Sequence, residues 1–207
     1  MYYLRTPLLD VPHYLLDKIT KAVENKSLTP TKMQEYSAFY SLQGFSFDAE
    51  LYSEIINHSS YCDFFSLVPD EPKLTLVIVK AKNNFPIHSD NLKRSSLTCC
   101  IKGNYELSWY VPDKELNEKV IIKDGDPPLY SNVLNPDIYQ YTIDNKIIKK
   151  DSVMLDSCES ILFNNNAYHS VCGKDIEMTL IQFGFLNITQ RELENIYNKW
   201  KLEKENK

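Results

Sequence analysis

This 207-residue chain is short of glycine and arginine and has no pattern of paired cysteines. With only 5 glycines and no phosphate-cradling motif, a nucleotide-binding fold built on a glycine-rich loop is excluded. The cysteines are Cys62, Cys99, Cys100, Cys158 and Cys172. Their number is odd, two are adjacent and no C-x-x-C occurs, which argues against a disulfide framework or a zinc module and for a reduced, cytoplasmic protein. The arginines are Arg5, Arg94 and Arg191, the formal charge is −5 and the pI about 5.4, the wrong sign for a broad nucleic-acid footprint. The densest basic cluster, Lys146 to Lys150, is interrupted by Ile147 and Ile148 and reads as a strand or loop edge. No apolar run reaches the roughly 18 residues of a membrane-spanning helix. The opening MYYLRTPLLDVPHYL lacks a basic segment followed by an apolar one, so neither a membrane partner nor a secretory signal is expected. There is no G-x-S-x-G elbow to make Ser170, beside His169, a hydrolase nucleophile. Cys172, three residues past His169, lacks the orienting group and oxyanion hole of a thiol enzyme.

What is present is ordinary globular material, 43% hydrophobic and 25% charged, long enough to bury about 70% of its unfolded surface without a staple. The pattern predicts a single domain over residues 1–207: a helical region over 1–72, a strand-rich core over 73–186 and a helix over 187–207. Val11, Leu15, Ile19, Ala22 and Val23 recur at helical spacing between Asp10 and Glu24, with Asp10 as the expected cap and Pro12 in the first turn. Asp48 is placed to cap a second helix through Leu51 and Ile55. Thr189 and Glu192 form a T-x-x-E capping box ahead of the apolar face Leu193, Ile196, Tyr197 and Trp200. Strands are expected at Leu74–Val79, Leu97–Ile101, Tyr105–Val111, Val120–Ile122, Ile138–Ile143, Ser160–Phe163 and Met178–Phe185, with a loop at Gly125-Asp126-Pro127-Pro128. Short strands without intervening helical patterns predict a mainly β protein, a sandwich or barrel with flanking helices.

Four histidines are available: His13, His58, His88 and His169. His13 lies in the first helix and His58 near a helix end, and neither suggests chemistry. His88-Ser89-Asp90 does, because residues two apart share one side of an extended backbone. An imidazole and a carboxylate so placed can share a metal, and a histidine from a distant strand would complete a 2-His-1-carboxylate triad with open positions. His169 has the right setting: it follows the apolar strand Ser160–Phe163 and the polar turn Asn164-Asn165-Asn166, and precedes another strand. Without that convergence, His88-Ser89-Asp90 is a turn in which Asp90 bonds local backbone.

The segments IHSDNLKR, ELSWY, ILFNNNAYHSV and TLIQFGF, spread over residues 86–185, together resemble the double-stranded β-helix (jelly-roll, cupin-like) core of the 2-oxoglutarate- and Fe(II)-dependent oxygenases, especially their small prolyl-hydroxylase-like viral and bacterial members. The resemblance implies that His88, Asp90 and His169 hold Fe(II). It further implies a dioxygenase that uses 2-oxoglutarate as cosubstrate with O2, hydroxylating a small-molecule or peptide substrate and releasing succinate and carbon dioxide. The substrate expected from the prolyl-hydroxylase-like character is a peptidyl or free amino acid. The chain departs from the family pattern at one place. The basic residue usual nine to eleven positions after the distal histidine is replaced by Met178, Thr179 and Leu180. Arg94 is the expected substitute for pairing the distal carboxylate, Lys102 the second choice, with assistance from the Thr179 hydroxyl. Trp109 and Tyr110 are the candidate substrate residues, one inward and one outward by strand parity. The missing anchor also supports a different reading, an inactive jelly-roll binding or assembly protein that has lost 2-oxoglutarate binding.

Overall fold

A computed structural model describes residues 2–25, 29–30, 42–46, 48–80, 85–88, 93–112, 147–173 and 177–206. Asp90, the strands expected at Val120–Ile122 and Ile138–Ile143, and the Gly125-Asp126-Pro127-Pro128 loop lie outside the described residues.

In chain order the elements are β1 (Tyr3–Arg5), a 3-10 turn (Pro7–Leu9), α1 (His13–Glu24), β2 (Thr29–Pro30), β3 (Leu42–Ser46), α2 (Ala49–Ile56), α3 (Ser59–Phe65) and β4 (Lys73–Lys80). There follow β5 (Phe85–His88), β6 (Ser95–Lys102), β7 (Tyr105–Pro112), β8 (Ile147–Leu155), β9 (Ser160–Asn164), β10 (Tyr168–Gly173), β11 (Glu177–Phe185) and α4 (Gln190–Glu205). They build a seven-stranded sheet in the order β1-β9-β6-β11-β4-β3-β2 and a four-stranded sheet in the order β5-β10-β7-β8. Every pairing is antiparallel. Strands β4 to β11 divide four and four between the sheets, so the chain crosses back and forth between two facing layers. This is a mainly β jelly roll with flanking helices.

Strand alternation gives the large sheet two apolar faces. Leu97, Cys99 and Ile101 of β6 and Ile181, Phe183 and Phe185 of β11 face the helices. There they meet Leu15, Ile19 and Ala22 of α1, Leu51 and Ile55 of α2, Phe64 of α3, and Leu193, Tyr197 and Trp200 of α4. The intervening residues Cys100, Met178 and Leu180 face the small sheet, where they pack with Val77, Ile161, Phe163, Tyr105, Leu107, Trp109, Val153 and Leu155. The helices at the two ends of the chain therefore cover one outer face, as their single apolar stripes require.

The caps follow the sequence in two places of three. Asp48 accepts from the Leu51 N–H, and Thr189 and Glu192 close the capping box reciprocally. Asp10 does not cap α1. Pro12 holds the N-cap position with no side-chain bond, and the Asp10 carboxylate instead accepts from the Ser160 N–H at 2.9 Å and the Ser160 hydroxyl at 2.8 Å. The carboxylate thus ties the segment before α1 to the start of β9, where the Ser160 hydroxyl also lies 2.8 Å from the Thr6 carbonyl. The 1–72 region is not wholly helical: β1, β2 and β3 all join the large sheet. A three-residue strand is too short to show periodicity, and β1 forms because β9 leaves an edge to pair with.

Candidate functional site

The small sheet brings the two sequence-selected histidines together. In the antiparallel β5–β10 ladder His169 is the register partner of His88, and in the β10–β7 ladder it is the register partner of Trp109. The row His88–His169–Trp109 thus crosses three adjacent strands. Residues directly opposed in an antiparallel pair lie on the same face with Cβ atoms about 4.5–5.5 Å apart. Trp109 is fully buried between the sheets, so His169, its partner, stands on the inner face.

Local structure fixes His169. Asn164, Asn165 and Asn166 make the turn into β10, the Asn164 side chain accepting from the Asn166 N–H at 3.0 Å. Asn165 is buried, and its Oδ1 accepts from the Ser96 hydroxyl at 2.6 Å, tying the turn to β6. His169 is 3% exposed and stands edge-on to the Phe163 ring at 5.4 Å. Its Nδ1 lies 2.9 Å from the Ala167 carbonyl. A carbonyl only accepts, so Nδ1 carries the proton and the lone pair sits on Nε2, the tautomer a metal-binding imidazole needs.

Trp109 is held by rings on several sides: Tyr3 stacks on it at 5.1 Å, Tyr2 at 6.1 Å, and Phe163 meets it edge-on at 6.2 Å. Its Nε1–H is buried with no hydrogen-bond partner among the described residues, as is the Tyr105 hydroxyl on the same face of β7. Two histidine positions paired in backbone register, one of them beside an unsatisfied buried donor, suit a metal ion carrying a polar ligand. Among the described residues no group of three His, Cys, Asp or Glu side chains converges, Asp90 lying outside them.

The other sequence-selected residues are dispersed. Arg94, expected inside the barrel, is exposed. It lines a surface groove with Asn164, Asn166, Thr189, Gln190, Arg191 and Glu194, while its backbone N–H is bonded to the Phe185 carbonyl. Lys102 is likewise exposed at the far end of β6, next to the Gly103 turn. Thr179 is buried, but alternation with inward Met178 and Leu180 turns it away from the inter-sheet space. Tyr110 also faces away from Trp109, with its hydroxyl 3.0 Å from Ser170 Oγ.

Cysteine chemistry finds no support here. Cys172 alternates with His169 three positions along β10 and so lies on the opposite face. Burial pushes the Cys100 thiol up to about 12, helped by the Asp156 charge, and pushes Cys99 higher still. Both stay protonated and unreactive near neutral pH.

One cluster escaped the sequence reading. Inward Leu180 makes Gln182 and Gly184 inward too, and inward Cys100 makes Thr98 and Ser96 inward. Thr98 is the register partner of Gln182, and Ser96 of Gly184. The half-buried Lys93 lays its side chain across Gly184, and its Nζ donates to Gln182 Oε1 at 2.6 Å. Gln182 Nε2 in turn points at Thr98 Oγ1, 3.4 Å away. The available signal was Gln182 itself, the polar interruption in TLIQFGF.

No family model matches the chain, and no curated protein matches it. Among solved structures it is similar to HygX from Streptomyces hygroscopicus in a crystal structure with nickel and 2-oxoglutarate bound. The TM-score is 0.52 and the identity 11%, over 91% of this chain and 84% of that one. A second HygX structure, with nickel, 2-oxoglutarate and hygromycin B bound, gives a TM-score of 0.49 at 11% identity over the same shares. The first likeness agrees with the jelly-roll fold described above.

Proposed function

We propose that the protein is an Fe(II)- and 2-oxoglutarate-dependent dioxygenase that hydroxylates a peptidyl or free amino acid, with His88, Asp90 and His169 as the metal ligands. The observation that carries this reading is the backbone register pairing of His88 with His169, whose buried ring stands on the inner face of a jelly roll. The distant similarity to HygX, a protein seen with nickel and 2-oxoglutarate, supports it. Bound at this row, Fe(II) would supply oxidative decarboxylation of 2-oxoglutarate coupled to C–H hydroxylation. The chain's own part is positional. The Ala167 carbonyl orients the His169 ring, Phe163 and Trp109 wall the site with aromatic surface that excludes water, and Trp109 Nε1–H offers a donor to a polar ligand. A reduced, cytoplasmic setting and a small-molecule or peptide partner belong to the same proposal.

The test is anaerobic addition of Fe(II) and 2-oxoglutarate to the purified protein. The wild type is expected to develop the weak visible band of a chelated 2-oxo acid, and His169→Ala to lose both the band and tight metal binding. Metal uptake by His169→Ala equal to that of the wild type would sink the proposal.

The exposure of Arg94 and Lys102 favours a second reading, an inactive jelly-roll binding or assembly protein. A buried carboxylate needs a partner, and these two cations are not inside to provide it. A wild-type protein that binds Fe(II) yet gives no band with 2-oxoglutarate would select this reading.

A further inference from the structure

We propose that Asp151 is a substrate-recognition carboxylate on the inner face, and that it takes the ammonium group of an amino acid or aminoacyl residue; this rests on the oxygenase reading above, whose substrate class it narrows. Three observations lead there. First, Asp151 of β8 extends the row of the candidate site. It is the register partner of Trp109 on one side of β7, as His169 is on the other. Val153 and Leu155, two and four positions further along β8, are buried in the inter-sheet cluster, so alternation turns Asp151 to the same inner face. Second, its charge is available. The side chain is half-buried, its Oδ1 accepts from the Ser152 N–H at 2.9 Å, and no cation pairs with it among the described residues. Cations on the adjoining strands are engaged elsewhere, Lys149 with Glu106 and Arg5 with Glu159, and Lys150 is exposed. Third, the surface between Asp151 and His169 is aromatic. Trp109 lies between them in the row, with Tyr3 stacked on it at 5.1 Å and Tyr2 at 6.1 Å. Such a surface packs aliphatic carbon and attracts a cation through the ring quadrupole.

The carboxylate stands at the rim of the inter-sheet space and the imidazole within it. Strands β8 and β1 end their sheets among the described residues and adjoin at Met154, whose carbonyl accepts from Arg5 Nη2 at 2.8 Å. Asp151 lies three residues along β8 from that contact, on the side of half-buried Tyr2 and Tyr3, whereas His169 is 3% exposed. His169 and Asp151 flank β7 two strand spacings apart, about 10 Å. A molecule the length of an amino acid with an extended side chain bridges that gap, its ammonium at the rim and its carbon chain along the aromatic wall toward the histidines.

The experiment is calorimetric titration of the protein, with and without Mn(II), against norleucine amide, whose ammonium is on the α-carbon, Nα-acetyl-lysine amide, whose ammonium ends the side chain, and Nα-acetyl-norleucine amide, which has none. The wild type is expected to bind at least one cationic probe at least tenfold more tightly than the uncharged one, about 1.4 kcal/mol. Which of the two it prefers tells an α-amino group from a lysyl side chain. Asp151→Asn should bring the cationic probes down to the level of the uncharged one, with Mn(II) uptake unchanged, and Asp151→Glu should recover part of the loss. A wild type that favours neither cationic probe, or an Asp151→Asn protein that still favours one, overturns the assignment, while the oxygenase reading keeps its own test in the 2-oxoglutarate band. An Asp151-dependent preference in a protein that takes up no Mn(II) keeps the ammonium site and ends the oxygenase reading.

Discussion

Asp10 carries a charge that its surroundings disfavour. Burial raises its pKa although two Ser160 hydrogen bonds pull the other way. A carboxyl whose folded-state value is raised takes up a proton more readily folded than unfolded. Its penalty is therefore fully present above the folded value and is relieved as pH falls through it, the reverse of the usual salt-bridged aspartate. Asp10→Asn keeps an acceptor for the Ser160 N–H without the charge. In urea denaturation it should be at least as stable as the wild type at neutral pH, with the margin narrowing in acid. Asp10→Ala leaves the Ser160 N–H without its partner and should lose about 1–3 kcal/mol. A wild type that gains on Asp10→Asn as the pH falls is the required sign; the opposite trend would show that the hydrogen bonds outweigh the burial. Single residues also mark how far the site could be read from sequence. His88 and His169 were legible because an H-x-D triplet and a histidine after an apolar strand have recognisable settings. The different settings of Lys93 and Arg94 were not, because the two are neighbours in sequence and what separates them is remote: Lys93 packs over Gly184 and bonds Gln182, 89 residues away, while Arg94 is exposed.

At the scale of elements, α4 joins two independent devices. Its start is fixed by the exposed Thr189–Glu192 box, and its middle by Trp200, which is 4% exposed and packs against Phe64 and Tyr197. Losing a cap costs about 1 kcal/mol, and emptying a buried tryptophan site about 3–5 kcal/mol. Chemical denaturation should therefore rank Thr189→Ala well above Trp200→Ala in remaining stability. A Trp200→Ala change near zero would mean the helix does not dock. Glu192 adds a pH signature: its hydrogen bonds to Thr189 lower its pKa, so its support for the helix start is present above its unfolded value and is lost as pH falls through the folded one. These helices were legible because periodicity and capping residues are local properties. Strand β8 was only half legible, as the edge containing Lys146–Lys150, since Ile-Ile-Lys-Lys-Asp-Ser-Val-Met-Leu alternates poorly. Strand β1 was not legible at all, since its partner β9 lies at the other end of the chain.

At the scale of the molecule, the large sheet is a wall shared by two apolar compartments, one beneath the helices and one between the sheets. The sequence contains 2 tryptophans, and the fold puts Trp200 in the first compartment and Trp109 in the second. This makes the protein its own pair of optical probes. Trp200→Phe leaves an emitter that shares a register row with His169, and Trp109→Phe leaves one that reports only on the helix layer. Because β6 and β11 contribute side chains to both compartments, the two single-tryptophan proteins should show coincident urea transitions once their stability differences are taken into account. Separated transitions within either protein, followed by fluorescence and circular dichroism together, would show that the layers come apart independently. The same placement separates their responses to ligand. A paramagnetic Mn(II) ion at the histidine row should quench the emission of Trp109 and leave that of Trp200 nearly unchanged, so that occupancy can be followed by light alone in a protein carrying no added label.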